Sequence, residues 1–239
     1  MCIRDSVGTG PIERGRMHAY AEKAMREASD GTSWTEPNVG FEAAVHEAVD
    51  LAYDDVALRG AWNQIDSLVT EPGWVIALGQ KLVQLTMPGV PDVYQGTEVW
   101  ENSLVDPDNR RPVDFAALRD MLSAVQHARF PVDASGAAKL WITHRALVAR
   151  RDRAEEFTGY TPVEADGPQA DHLIGFDRGG AISLATRLPV GLARAGGWGS
   201  TKLELPRPVT DTLTGAVHSG RTAVADLLSH YPVALLLSD

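Results

Sequence analysis

Apolar and polar positions recur with two different periods along this chain. Up to about residue 153 the helical spacing dominates, and beyond about residue 158 short alternating runs take over. The spacing predicts a first helix from near Pro11, a favourable first-turn residue, with Met17, Tyr20, Ala21, Ala24 and Ala28 on one face and Asp30-Gly31 at its end. A loop over residues 32–38 leads to a second helix with Phe41, Val45, Ala48 and Ala52 in one stripe. A third helix, after Pro72, gathers Trp74, Leu78, Leu82 and Leu85; Val75 and Ile76 widen that face enough to predict burial against a larger body. Beyond Pro88-Gly89, the apolar run 90–94 reads as one buried strand, and residues 95–112 as a polar loop. Asp114 is placed to cap a helix that turns Phe115, Leu118, Leu122 and Val125 inward. Ser135 is placed to cap another, with Leu140, Trp141, Leu147 and Val148 inward and Arg145, Arg150 and Arg151 outward; basic residues in its last turn suit the helix dipole.

The second half reads as strands. Residues 172–176 lead into a hairpin-type turn at Asp177-Arg178-Gly179-Gly180, and 181–186 answer them. Further runs lie at 201–205, at 209–215 with a turn, and at 231–237, which closes the chain as a buried strand. Five or six strands in about 80 residues with no helical pattern predict a small antiparallel β-sandwich. The first half carries a puzzle. One strand among about five helices cannot satisfy its own backbone groups. Its neighbours must come from elsewhere, so this half is expected to be the tail of a larger α/β domain. The fold class is therefore α/β plus β.

Composition changes this picture little. The 239 residues are 44% hydrophobic and 23% charged, close to the globular average, and suffice for one large domain or two modest ones. The net charge of −10 argues against a nucleic-acid or anionic-membrane partner, which would need a basic patch. The one cysteine, Cys2, excludes an intrachain disulfide and a thiolate zinc cage, so a reducing compartment, the cytoplasm, is expected. No run of about 18 apolar residues is present to span a membrane. The opening residues 1–6 lack an apolar signal core, so no secretory leader is expected.

The densest polar chemistry lies between Tyr94 and Asp114, where Glu98, Asp106, Asp108, Asn109, Arg110, Arg111 and Asp114 crowd together. Residues at the C-terminal end of a barrel strand read as active-site residues. Arginine forks and carboxylates also suit the bidentate hydrogen bonds that sugar hydroxyls need. On spacing alone the commoner reading is a solvated, self-capped loop, with the arginines paired to the carboxylates. Trp100, lying in this loop, is the best sugar-stacking platform, while Trp74 at helical spacing reads as core. His46-Glu47 lacks the second histidine of a zinc motif, and Gly8-Thr9-Gly10 follows no strand, which argues against a phosphate cradle. No metal or cofactor is expected.

At this loop a family resemblance emerges. Leu85-Thr86-Met87-Pro88-Gly89-Val90-Pro91-Asp92-Val93-Tyr94-Gln95-Gly96-Thr97-Glu98 resembles the eighth-strand segment of the α-amylase superfamily barrel. More specifically, Ser103-Leu104-Val105-Asp106-Pro107-Asp108-Asn109-Arg110-Arg111-Pro112-Val113-Asp114-Phe115 resembles the malto-oligosyltrehalose synthase family. The likeness extends upstream through residues 22–28 and 32–35, and downstream through 209–215 and 225–236; residues 1–6 do not continue it and read as a non-native lead.

The resemblance implies a division of the chain. Residues 7–153 would be the C-terminal part of a (β/α)8 barrel, mostly helices with the last barrel strand and inserted helices, and 154–239 a β-sandwich domain. It also implies an intramolecular transglucosylase acting on maltooligosaccharides, with a nucleophilic aspartate, a glutamate acid/base and a further aspartate on upstream barrel strands. This chain has no counterpart of those motifs, so no catalytic residue is assigned and the chain alone is expected to be inactive. Tyr94, Gln95, Glu98, Trp100, Asp106, Asp108, Asn109, Arg110 and Arg111 are the candidate substrate-binding residues. Two alternatives stay open: another hydrolase or phosphorylase of the superfamily, and a non-catalytic glucan-binding module.

Overall fold

The computed structural model describes residues 12–126 and 130–238. The expectations for residues 1–6, for Gly8-Thr9-Gly10 and for Pro11 lie outside the described residues. The chain divides into two compact units. The first comprises the chain up to Thr70 together with Glu101–Val113, the second Glu71–Trp100 together with the chain from Asp114 onward.

The first unit is built on α1 (Arg14–Ala28), α2 (Val39–Asp54) and the opening turns of α3 (Val56–Thr86). Most of the expected face of α1 turns inward: Met17, Tyr20 and Ala21 are buried, joined by Met25, with Ala24 half-buried, while Ala28 at the helix end is exposed. Met17 and Tyr20 meet Ile12 and Leu104 in a small core that Ala24, Val49 and Tyr53 flank. The hydroxyl of Tyr53 donates to the Ile12 carbonyl at 2.8 Å. Asn38 caps α2 by accepting from the Phe41 amide at 3.1 Å.

The inward face of α2 differs from the expected stripe. Phe41 and Ala48 are exposed, while Glu42 is buried. The cause is a polar network. Arg26 of α1 grips both Glu42 oxygens at 2.9 Å, and the Thr32 hydroxyl donates to one of them at 2.6 Å. These bonds outbid the pull of a Phe41 stripe, because a carboxylate held by a two-pronged guanidinium and a hydroxyl is fully satisfied without water.

The hydrogen bond from Arg26, with that from Thr32, lowers the Glu42 pKa from its ordinary 4.5 to about 2. A carboxyl depressed in the fold stabilises above its unfolded value and loses that contribution as pH falls through the folded one. Glu42→Gln is therefore expected to lower stability near neutrality. The gap between the two proteins in urea unfolding should close as pH drops from about 4.5 towards 2. A gap independent of pH would show that the ionised carboxylate contributes nothing.

The second unit is organised round one antiparallel sheet: β1 (Thr161–Pro162), β2 (Leu173–Asp177), β3 (Ile182–Thr186), β4 (Lys202–Asp211), β5 (Val217–Ala223) and β6 (Val233–Ser238). Their spatial order is β1-β2-β3-β6-β4-β5. The strands expected at 172–176, 181–186, 201–205 and 231–237 are present, and hydrogen bonding joins all six into a single sheet. The runs at 201–205 and 209–211 form one strand, β4, whose register shifts between Leu205 and Val209. Pro206 and Pro208 fall within that irregularity, where a residue without an amide costs no ladder bond. The turn after β2 is tied by the Asp177 carboxylate, which accepts from the Gly179 and Gly180 amides at 2.8 and 2.9 Å. Gly179 has φ +96°, a conformation that favours glycine there.

β3 is buried along its whole length, and β6 from Val233 to Leu237. This follows from their central position, with a core on each face. One core joins Val233, Leu235 and Leu237 to Leu78, Leu82 and Leu85 of α3 and to Ala138, Ile142, Ala146 and Ala149 of α5 (Ala137–Asp152). The other joins Ile182, Leu184, Ala234 and Leu236 to Leu203, Leu205, Val209, Val224 and Leu227. The inward face of α5 thus differs from the one expected, for Leu147 is 40% exposed. Alanines at 138, 146 and 149 let the helix lie close to the sheet, and that proximity outweighs the larger side chain.

Asp114 caps α4 (Phe115–Val125) as expected, accepting from the Ala116 and Ala117 amides at 3.1 and 3.0 Å. The residue capping α5 is Gly136 in a left-handed conformation, and the Ser135 hydroxyl accepts from the Ala137 amide at 3.2 Å. Two helices were not foreseen, α6 (Pro189–Arg194) and the single turn α7 (Val224–Leu227).

Two expectations around Pro72 and Val93 are corrected. α3 begins at Val56 and runs through Pro72, which is interior to it. Residues 90–94 form no strand, and Val90 is 96% exposed. The reason is backbone satisfaction. No strand among the described residues runs beside this segment, and Pro91 has no amide to offer a ladder.

Candidate functional site

The candidate residues fall into two groups, one in each unit. Tyr94, Gln95, Glu98 and Trp100 belong to the second unit. Without a ladder, their segment is held by side chains. α3 ends at Thr86, and Arg150 donates to the carbonyls of Leu85 at 2.9 Å and Met87 at 3.2 Å, and also to that of Gly89. Arg178 is 5% exposed and donates to the Thr86 carbonyl at 2.6 Å. These guanidiniums take up carbonyls that a helix end leaves unpartnered. Burial, and after it the nearby Arg150, lowers the Arg178 pKa.

Farther along, Gln84 donates to the Asp92 carbonyl at 2.6 Å, and the Thr97 hydroxyl to the Tyr94 carbonyl at 2.7 Å. Lys81, itself buried, donates to Gln84 Oε1 at 2.9 Å and to Thr97 Oγ1 at 3.4 Å. Burial lowers the Lys81 pKa, while the field of Glu98 opposes that shift. Glu98 Oε2 is buried without a hydrogen-bond partner. Lys139 donates to the Val99 carbonyl at 2.7 Å and lies 5.6 Å from the centre of the Trp100 ring.

Trp100 stacks on Trp74 with ring centres 5.8 Å apart and planes 10° from parallel, and its indole donates to the Asp133 carbonyl at 2.7 Å. One indole face is therefore already occupied. Gln95 and Tyr94 are exposed, with Tyr94 at 47%.

Asp106, Asp108, Asn109, Arg110 and Arg111 belong to the first unit. Here the commoner reading of the loop, carboxylates paired with arginines, accounts for most of the contacts. Asp108 is gripped by Arg16 of α1 through Nε and Nη2, each at 2.8 Å, and accepts from the Leu104 amide at 2.8 Å. The Arg16 hydrogen bond outweighs burial and lowers the Asp108 pKa. Arg111 donates to Glu101 at 3.0 Å, to the Ser103 hydroxyl at 2.9 Å and to the Asp108 carbonyl at 3.0 Å. Lys23 donates to the Asp106 carbonyl. Arg110 differs from its neighbour: among the described residues its one ion pair is to Asp106, at 2.5 Å, and its side chain is 71% exposed. Asn109 is also exposed.

Sequence reasoning missed Arg16, Lys23, Lys81, Lys139, Arg150 and Arg178 as the groups that hold these segments. A cation on a helix carries no local mark of the carbonyl it will reach far along the chain. Among the described residues no group of three or more His, Cys, Asp or Glu side chains could hold a metal ion. Among the same residues, no helix is long and apolar enough to cross a membrane.

No family model matches the chain. A protein of Mycobacterium tuberculosis (strain CDC 1551 / Oshkosh) called putative maltooligosyl trehalose synthase is 46% identical over 233 residues, covering 95% of this chain and 28% of its own length. Among solved structures, maltooligosyltrehalose synthase from Arthrobacter ramosus matches 100% of this chain and 32% of its own, at 49% identity and a TM-score of 0.95. DSM5389 glycosyltrehalose synthase matches 97% of this chain and 29% of its own, at 26% identity and a TM-score of 0.75. The chain spans less than a third of the length of each of these relatives. Over nearly all of its length, this chain is homologous to the C-terminal part of the maltooligosyltrehalose synthases.

Proposed function

We propose that this chain is the C-terminal part of an intramolecular transglucosylase of trehalose biosynthesis. That enzyme converts the reducing-end α-1,4 linkage of a maltodextrin to α,α-1,1. The observation that carries the reading is the 46% and 49% identity to the mycobacterial and Arthrobacter relatives over 95% and 100% of the chain. In this reading residues 7–153 belong to the (β/α)8 barrel and 154–239 form the terminal β domain. The enzyme works in the cytoplasm.

The chemistry follows from the retaining geometry. Two carboxyl groups about 5–5.5 Å apart act on the bond, one attacking the anomeric carbon and one protonating the departing glucose. The freed glucose must then return a hydroxyl to the glycosyl-enzyme before water does, so the pocket has to hold it and stay dry. The attacking and donating carboxylates lie on barrel strands outside this chain. Asp108 is an unsuitable substitute, since Arg16 and the Leu104 amide already occupy its oxygens.

This chain contributes substrate contacts. Within the second unit Tyr94 and Gln95 present exposed polar groups suited to sugar hydroxyls, and within the first unit Asn109 and Arg110 do so independently. In the first unit Asp106, Asp108 and Arg111 shape the loop that carries Arg110, and in the second unit Glu98 and Trp100 flank Tyr94 and Gln95 along the chain, with Trp74 stacked on the Trp100 ring and Lys139 beside it.

The test is to follow reducing ends with maltopentaose as substrate. The chain alone should leave them unchanged. When it replaces the corresponding stretch of the Arthrobacter relative, reducing ends should fall without release of free glucose. Loss of reducing ends with the chain alone would refute the reading as part of a longer enzyme. A rise with the chimera would favour a hydrolase.

A further inference from the structure

We infer that the apolar stripe on the first half of α3 is a docking face, and that its occupant is the polypeptide which the longer relatives carry ahead of the matched stretch. This rests on the reading of the chain as part of a longer enzyme. At about 100° per residue, Leu58, Trp62, Ile65 and Val69 fall within one narrow stripe, with Leu68 beside it. The other side of the same turns carries Arg59, Asn63, Gln64, Asp66 and Ser67. This is the pattern of a helix built to bury one face. Yet Leu58 is 49% exposed, Ile65 41%, Leu68 72% and Val69 42%. Trp62 alone of the stripe is half-covered, edge-on to Tyr53 with ring centres 6.4 Å apart.

Two observations select the occupant. The stripe lies in the first unit, which also contains α1, the first described helix of the chain. The relatives match this chain with their C-terminal part and are about three times as long, so their remaining polypeptide enters at the same unit. A contiguous apolar face of this kind marks a protein contact. A cover tethered at the same unit reaches it without the entropic cost of a second, independent molecule.

The experiment mixes this chain with the remaining N-terminal part of the Arthrobacter relative, made as a separate polypeptide, and reads association by sedimentation velocity. A one-to-one complex is expected. Leu58→Glu with Ile65→Glu should weaken it by at least about tenfold, because a carboxylate would enter an apolar contact. Gln64→Glu, on the polar side, should leave it unchanged. Helicity and the melting temperature of the variants should match the parent, since these side chains are exposed. A complex that all variants form equally would overturn the docking face. So would the absence of any complex, or a self-dimer of this chain that the double variant abolishes. A complex that forms yet leaves the reducing ends of maltopentaose untouched would unseat the transglucosylase reading and leave the docking face standing.

Discussion

Replacing Arg178 by methionine is expected to be the most damaging single substitution in the second unit. The guanidinium is 5% exposed and donates to three carbonyls: Gly159 at 2.5 Å, Thr86 at 2.6 Å, and Phe157. Methionine keeps much of the volume and removes every donor. Each buried acceptor left unpaired costs about 1–3 kcal/mol, and partial rescue by water leaves a loss of about 3–5 kcal/mol. In urea unfolding followed by circular dichroism, the midpoint should fall with the slope unchanged. Arg178→Lys should recover part of the loss, since an ammonium donates from a single point rather than a fork. A loss below about 1 kcal/mol would mean that these carbonyls find other donors. The consequence reaches the candidate site, because Thr86 is the last residue of α3 and the segment carrying Tyr94 and Glu98 departs just after it.

The second large effect belongs to the first unit. Asp108 ties its loop to α1 through both nitrogen contacts from Arg16 and receives the Leu104 amide. Its side chain is 10% exposed and that of Arg16 is 19%. Asp108→Ala leaves a partly buried guanidinium and an amide without their acceptor, at a cost of about 2–4 kcal/mol. Arg16→Met should cost a comparable amount. The double variant should cost clearly less than the sum, with a coupling of about 1–3 kcal/mol. Additive losses would show that the two side chains stabilise independently.

The sign of the pH dependence follows from the lowered Asp108 pKa: stability from the pair is present above the ordinary aspartate value and fades as pH falls below it. Arg110 stands apart from this scaffold. Its side chain is 71% exposed and pairs with Asp106, whereas Arg111 ties the loop through Glu101, Ser103 and the Asp108 carbonyl.

How much was legible beforehand differs from element to element. α1, α4 and the β2–β3 hairpin were readable because their signals are local: an apolar face at helical spacing, an aspartate one residue ahead of a helix, an Asp-Arg-Gly-Gly turn between two alternating runs. The family likeness was readable too, because the string from Ser103 to Phe115 is dense in specific residue types. The start of α3 differs from the one expected after Pro72, because the amphipathic turns before that proline continue the helix through the missing amide. The inward faces of α2 and α5 were misplaced for another reason. Periodicity ranks side chains by apolarity, but Arg26 drew Glu42 inward, and the sheet selected the alanine face of α5 over Leu147.

By itself the sequence determined the periods, the caps, the turns and the kinship, all of which are carried by residues a few positions apart or by direct likeness. Tertiary structure decided the rest: that β6 lies between β3 and β4, that residues 90–94 form no strand, and that the candidate polar residues divide between two units. The physical reason is the reach of the partner. A helix satisfies its amides within four residues, whereas a strand, a buried guanidinium or an ion pair is completed by groups dozens of positions away.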